Sequence, residues 1–238
     1  MKIRNNELVR DKLNGMGHFL EGLGQYRLNQ PDLATETFAK VSSAGIDDPL
    51  LAFKVASQLN EMGQGKVAQD ILRKFEGTFT NRGDFYFQLV SSAYATRQLD
   101  LLVPAAEKAY QIEPNNIDYI HNYAASLLVT RQRPELAIQL TLRVFNERHG
   151  SIDAQINHAL ALVQNARLDE AENMLQVLRV LTLSPAEQSS IHLGWFELMV
   201  QRGKVREARQ AYAEINKTLL LEIQSKWLEE TLTKLPRG

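Results

Sequence analysis

The sequence contains no cysteine, no excess of either charge and no long apolar run. Its 238 residues include 27 Lys and Arg against 28 Asp and Glu, a formal net charge of −1. The lack of cysteine excludes disulfide scaffolds, Cys-ligated metal sites and a cysteine nucleophile. The balanced charge gives no indication of a nucleic-acid partner or an anionic membrane surface. No segment approaches the roughly 18 consecutive apolar residues of a membrane span.

The N-terminus also lacks the apolar stretch of a secretory signal. As given, the chain is expected to be cytoplasmic, with no direct insertion into a membrane. A periplasmic or membrane-anchored location is the alternative if an N-terminal segment has been removed.

An internal repeat organises the chain. Small or apolar anchors recur at separations of 34, 34, 35, 34 and 37 residues, and these anchors are Ala34, Ala68, Leu102, Ala137, Ala171 and Ala208. A second set lies twelve residues before the anchors and consists of Gly22, Ala56, Val90, Ala125, Ala159 and Phe196. Positions four and seven residues after each anchor are apolar except for Thr141. This helical periodicity predicts that each repeat is a pair of amphipathic helices in contact at the anchor.

Turn signals divide the helices. Those expected within pairs are Asn29–Pro31, Gly63–Gly65, Arg133–Pro134, Asn165–Arg167 and Gly203. Those expected between pairs are Asp47–Pro49, Pro114–Asn116, His149–Ser151 and Ser184–Pro185. Pro104 falls in a helical pattern, which predicts that its helix begins within a residue or two of that proline.

The repeat resembles that of the tetratricopeptide repeat family. The matching motifs are Ala-Tyr-Gln-Ile-Glu-Pro-Asn-Asn at 109–116, which closes a unit, and Leu-Asp-Glu-Ala at 168–171, which opens a second helix. The resemblance implies an all-α fold, a right-handed solenoid of about six helix pairs forming one superhelical domain over 1–238. The expected units are about 15–47, 48–81, 82–116, 117–150, 151–184 and 185–217. The sixth unit is stretched around Leu181–Gln188, and Phe196 occupies a normally small position.

The two ends of the chain are expected to close the solenoid. Residues 219–235 place leucines, Ile223 and Trp227 mostly on one helical side, which predicts a C-terminal capping helix. Asn216 is the expected break before this helix. Residues 5–14 are expected to extend or cap the first helix.

No constellation of residues indicates catalysis or a metal site. The five histidines, His18, His121, His149, His158 and His192, include no pair at the i, i+4 spacing of a helical zinc site. Gly63–Lys66 lacks the spacing and the preceding strand of a phosphate-binding loop. We therefore predict no catalytic residue, no metal and no cofactor, and the chain is not expected to be an enzyme.

The resemblance implies that a ligand lies on the concave face, against the first helix of each pair. Family registration gives as partner-binding residues Phe19, Tyr26, Phe53, Asn60, Phe87, Tyr94, Tyr119 and Asn122. In units five and six the same registration includes Ile156, Leu193, Glu197 and Gln201. Aromatic rings would supply contact area and polar groups would supply orientation. The alternative is that half of these residues pack between the first helices of adjacent pairs.

The leading interpretation is a non-enzymatic interaction scaffold or adaptor that binds a peptide segment or a partner helix. Its partner would be a protein or peptide, and the chain could also form a homo-oligomer. The compact, cysteine-free and loosely matching repeats favour a bacterial origin, and family-level analogy adds a role in envelope, pilus or secretion assembly. The alternative is a regulatory or targeting domain of a larger protein, such as a glycosyltransferase, a peptide-sensing regulator or a membrane-anchored assembly factor.

Overall fold

The structure is a computed structural model that describes residues 14–236, and these residues form helices and turns without a β-strand. The chain divides into two compact units, residues 1–112 and 113–238. The prediction of one continuous domain over 1–238 concerns the relation between these units and stays a prediction. The expectation for residues 5–14 falls, except for Asn14, outside the described residues.

The N-terminal unit contains three helix pairs, α1 with α2, α4 with α5 and α6 with α7, and a single-turn helix α3 after the first pair. The bounds are α1 Gly15–Arg27, α2 Pro31–Phe38, α3 Val41–Ala44, α4 Pro49–Glu61, α5 Gly65–Arg73, α6 Gly83–Ala95 and α7 Leu99–Ile112.

The C-terminal unit contains three further pairs, α8 with α9, α10 with α11 and α12 with α13, followed by a last helix α14. The bounds are α8 Ile117–Thr130, α9 Pro134–Glu147, α10 Ile152–Gln164, α11 Leu168–Arg179, α12 Pro185–Gln201, α13 Val205–Glu214, a 3₁₀ turn Lys217–Leu219 and α14 Glu222–Lys234.

The predicted contact between paired helices is confirmed at the anchors, because all six anchor residues are buried. The set twelve residues earlier is buried too, with one difference: Ala124 rather than Ala125 is buried in the fourth pair. The turn after α8 holds two left-handed residues, Arg131 and Arg133, and its extra length moves the contact position by one residue.

Each helix pair turns through a residue with positive φ, and these residues are Asn29, Gly63, Arg97, Arg131 with Arg133, Ala166 and Gly203. In all six turns the amide that follows a left-handed residue donates to a carbonyl five residues earlier, at 2.8–3.0 Å. This Schellman arrangement satisfies carbonyls at the helix end and fixes the turn even where the left-handed residue is not glycine. The turn at Arg97 carries no Gly, Pro or Asn and gives no signal in the sequence.

The breaks predicted between pairs are confirmed as helix N-caps. The side chains of Asp48, Asn116, Ser151 and Ser184 each accept a hydrogen bond from a backbone amide two or three residues later. Such caps satisfy amides that have no partner within the helix, so they define where the first helix of a pair begins. Ser184 adds a capping box with Glu187, which fixes the start of the stretched sixth unit.

The expectation for Pro104 is wrong. Helix α7 begins at Leu99, so Pro104 is its sixth residue. The helix starts early because the turn at Arg97 positions the carbonyl of Gln98, which accepts from the amides of Leu101 and Leu102 at 3.3 and 3.2 Å. Proline at this position removes one helical hydrogen bond, and the helix continues to Ile112.

The predicted C-terminal helix is present. Helix α13 ends at Glu214, and Asn216 marks the break, since its side chain accepts a hydrogen bond from the Thr218 amide at 3.2 Å. Helix α14 then packs against α8, the first helix of the C-terminal unit.

Candidate functional site

The residues predicted to bind a partner lie on the first helices of the pairs. We call the side of a unit formed by these helices its helix-A face; it comprises α1, α4 and α6 in the N-terminal unit and α8, α10 and α12 in the C-terminal unit. Helices α4 and α6 contact each other directly, as do α8 with α10 and α10 with α12.

Two of the predicted residues belong to the packed interior. Phe19 of α1 is buried, and its ring centroid lies 6.1 Å from that of Phe38 on α2. Tyr119 of α8 is buried as well. These two rings leave little surface for a ligand, and the Phe19 ring packs on the second helix of its own pair.

Phe53 of α4 takes part in a cluster of rings that joins α4 to the segment before α6. Its centroid lies 6.0 Å from Phe79 and 6.2 Å from Phe85, and the Arg82 guanidinium carbon stands 4.6 Å above the Phe53 ring. The Arg82 side chain also pairs with Asp84. Phe53 is only half-buried, so it supports the helix-A face and still contributes to its surface.

Tyr94 and Tyr26 are the exposed aromatic residues of the predicted set, with 57% and 46% of their surface accessible. Tyr94 lies on α6 seven residues after the partly buried Phe87, so the two share one side of that helix. Asn122 is partly buried on α8 in the other unit. Helix α6 therefore presents two aromatic residues, one anchored and one accessible.

Asn60 connects α4 to α6. Its Nδ2 donates to the main-chain oxygen and to the side-chain Oε1 of Gln88, both at 2.9 Å. Its Oδ1 is enclosed and meets no hydrogen-bond donor among the described residues. Burying a polar atom without a partner costs about 1–3 kcal/mol. A small rearrangement of the contact between α4 and α6 that brings a donor to this oxygen would remove that cost.

The helix-A face of the C-terminal unit is arranged differently, because Ile156, Leu193 and Glu197 are buried there. Glu197 of α12 forms a two-pronged ion pair with Arg131, whose Nη1 donates to Oε2 at 3.0 Å while Nη2 pairs with Oε1. Arg131 follows the end of α8 and belongs to none of the periodic sets, so its role on this face escaped the repeat pattern.

Two histidines of the C-terminal unit have pKa values lower than the ordinary value of the imidazole group. His158 is buried, stacks on Phe145 with centroids 5.3 Å apart, and its Nδ1 lies 3.1 Å from Thr141 Oγ1. Burial lowers the pKa of His158, and Arg167 lowers it further. Burial also lowers the pKa of His121. Thr141, the one polar residue in its periodic set, is thus explained by a neighbouring imidazole.

The part of the chain that the structure describes holds no group of three or more His, Asp or Glu side chains able to bind a metal ion. None of its helices combines the length and the apolar composition needed to cross a bilayer. No known family model and no curated protein sequence matches the chain.

Solved structures do match it. MamA AMB-1 superposes with a TM-score of 0.53 at 19% identity, over 71% of this chain and 97% of MamA. YrrB, described as a TPR protein with an unusual peptide-binding site, gives a TM-score of 0.53 at 14% identity, over 82% of this chain and 99% of YrrB. This chain has a tetratricopeptide-repeat fold. At these identities the tetratricopeptide-repeat likeness establishes the fold and leaves the ligand to be argued from the chain itself.

Proposed function

We propose that this tetratricopeptide-repeat chain is a non-enzymatic interaction scaffold that binds a peptide segment or partner helix on the helix-A face of its N-terminal unit. The observation that carries the proposal is the pair Phe87 and Tyr94, which lie on one side of α6, with Phe87 partly buried and Tyr94 exposed. Tyrosine is enriched at binding hot spots because it offers a large apolar surface and a polar end at low entropic cost.

Asn60 supplies the polar part of the proposed site. Its amide bridges α4 and α6 through Gln88 and retains one acceptor without a partner among the described residues. A peptide N–H that reaches this acceptor would remove the cost of its burial, so binding a backbone is more favourable here than at a fully satisfied amide. The peptide-binding site in the description of YrrB supports the same class of ligand for this fold.

The proposed ligand is a protein segment, and the finer expectation of a role in bacterial envelope, pilus or secretion assembly is carried by analogy alone. The surface offers aromatic and amide groups rather than a cluster of one charge. The expected ligand is therefore a mixed apolar and polar segment, extended or helical, rather than a strongly charged one.

The test is selection of peptides from a random displayed library on the purified full chain, followed by affinity measurement with variants. Tyr94→Ala should weaken the selected peptides by about 10- to 30-fold, the effect of losing one hot-spot ring worth about 1.4–2 kcal/mol. Val177→Ala is the matched control, because Val177 is a similarly exposed apolar residue on a second helix of a pair, α11. Peptides that bind the Tyr94 variant and the unsubstituted chain equally well would refute the site.

A further inference from the structure

Helix α14 lies across the helix-A face of the C-terminal unit. It packs against α8, the first helix of this face, and its Trp227 meets Phe196 on α12, the third, with ring centroids 6.0 Å apart at 83°. One helix therefore contacts both the first and the third of the helices that form this face. This is the surface on which the repeat resemblance implies a ligand.

The indole of Trp227 contacts two side chains from other parts of the C-terminal unit. The Arg131 guanidinium carbon lies 4.0 Å from the centroid of the Trp227 ring, and Phe196 forms an adjacent wall. Glu197, whose side chain is 7% exposed, pairs with the same guanidinium, and Gln201 Nε2 donates to Glu197 at 3.4 Å. A guanidinium fixed by a buried carboxylate over an aromatic face gives a strong and oriented cation–π contact.

The neighbouring Leu228 is completely buried, and it belongs to the same apolar cluster as Ile156 of α10 and Leu193 of α12. Those two residues are the positions that the repeat registration assigns to ligand contact. The pair Trp227 and Leu228 thus takes the place of a bound helix, with an aromatic anchor followed by an aliphatic one.

Further apolar contacts of α14 come from Leu232 and Leu235, which are partly buried against the same cluster. Leu228 is its fully buried residue, whereas the polar contacts from Tyr212 and Lys217 to Glu229 are exposed. Exposed ion pairs and hydrogen bonds of this kind contribute little to stability. The preceding residues Leu220 and Leu221 are buried, and the Leu221 amide donates to Oε1 of Gln224 in the first turn of α14 at 3.0 Å.

We infer that α14 is an autoinhibitory ligand: it occupies the helix-A face of the C-terminal unit in cis, and its release opens a site for an amphipathic partner helix carrying an aromatic–leucine pair. The inference deepens the proposed function, because it assigns a second peptide-binding surface with its own ligand chemistry. The ligand class follows from the side chains that α14 itself places there: an aromatic ring under Arg131, followed by a leucine in the apolar cluster that includes Ile156 and Leu193.

The covalent link between α14 and the rest of the chain determines how strongly α14 competes with a separate ligand. A helix joined by a short linker competes at an effective concentration of about 1 mM. For a free helix with an intrinsic Kd of about 10 µM, this competition weakens apparent binding about 100-fold.

The experiment uses the full chain and, as probe, a fluorescein-labelled peptide of residues 219–236. Trp227→Ala combined with Leu228→Ala removes both anchors and should allow the peptide to bind with a micromolar Kd by fluorescence anisotropy. The unsubstituted chain should bind about 100-fold more weakly. The matched control is Lys226→Ala with Glu230→Ala, which changes exposed residues of the same helix and should behave like the unsubstituted chain.

Several results would overturn the inference. One is that the chain with Trp227→Ala and Leu228→Ala, the opened variant, melts cooperatively and does not bind the peptide. Another is that the opened variant and the unsubstituted chain bind the peptide with equal affinity. A dimer of the unsubstituted chain that dissociates in the opened variant would place α14 on a second copy and refute the intramolecular arrangement. In each case the selection of peptides through Tyr94 is unaffected, so the proposed function is judged separately.

A second measurement covers the case in which the double variant fails to fold. Trp195→Phe leaves Trp227 as the one tryptophan of the chain. Excess unlabelled peptide carrying Trp227→Phe should then displace α14 and increase quenching of Trp227 by acrylamide at least twofold. Unchanged quenching at saturating peptide would refute displacement.

Discussion

Gly22 lets α1 approach α2 closely, and replacing it with alanine tests that contact. A Cβ at Gly22 would lie 2.6 Å from both Cδ1 and Cε1 of Phe38. Normal carbon–carbon contact is about 3.5–4.0 Å, so the atoms overlap by about 1 Å. Phe38 is fully buried and packs on Phe19, which limits its ability to move away.

The matched control is Gly24→Ala in the same helix, because a Cβ there meets nothing within 4 Å. Both substitutions gain about 1 kcal/mol of helix propensity. Overpacking costs Gly22→Ala about 1–3 kcal/mol, so its net effect ranges from about zero to 2 kcal/mol of destabilisation. Gly24→Ala should stabilise by about 1 kcal/mol. The difference between the variants, about 1–3 kcal/mol, isolates the close approach.

Urea denaturation followed by far-UV circular dichroism measures this difference. With a slope of about 2 kcal/mol per M, the two midpoints should be separated by about 0.5–1.5 M urea, with Gly22→Ala the lower. Equal midpoints would show that α1 and α2 can move apart without cost. The assignment of Gly22 as a required small residue would then be wrong.

Three further substitutions test other parts of the molecule. Gln69 is buried, and neither its side-chain oxygen nor its side-chain nitrogen finds a partner among the described residues. Gln69→Met should therefore raise the free energy of unfolding, measured by urea titration, by about 1–2 kcal/mol, and a loss of stability would contradict this. The amide of Leu51 donates to Asp48 Oδ1 at 2.7 Å, so Asp48→Ala should lower the thermal midpoint through loss of about 1 kcal/mol, while Asp47→Ala beside it should not. Burial holds the pKa of His158 below its unfolded value of about 6.5, so the unfolded chain binds more protons at this residue than the folded chain does. The free energy of unfolding should therefore fall as the pH drops from about 7.5 to 5.5. In urea denaturation, His158→Gln should make the midpoint depend less on pH over this range.

Local features of the chain are predictable because they depend on neighbouring residues. Asp48 and Ser184 cap helices through hydrogen bonds to amides three residues away, and the anchors follow the period of one helix pair. The turn at Arg97 and the early start of α7 escape prediction because the Schellman hydrogen bond, rather than residue type, determines them.

The candidate binding site was likewise predictable from the sequence only in part. The repeat registration finds the exposed Tyr94 and the bridging Asn60, and it also includes Phe19 and Tyr119, which are buried. Registration gives the side of a helix, whereas exposure depends on which neighbouring helix covers that side.

The sequence by itself determined the repeat, the six helix pairs and the existence of a final amphipathic helix, because periodicity and capping are written in residues close along the chain. Only the tertiary structure decided where that last helix packs. Its contact with α8 joins Trp227 to Arg131, which are distant in sequence and carry no shared pattern. Such a contact depends on how the pairs of the unit stack, so the same residues that predict an end cap form a helix laid across the helix-A face.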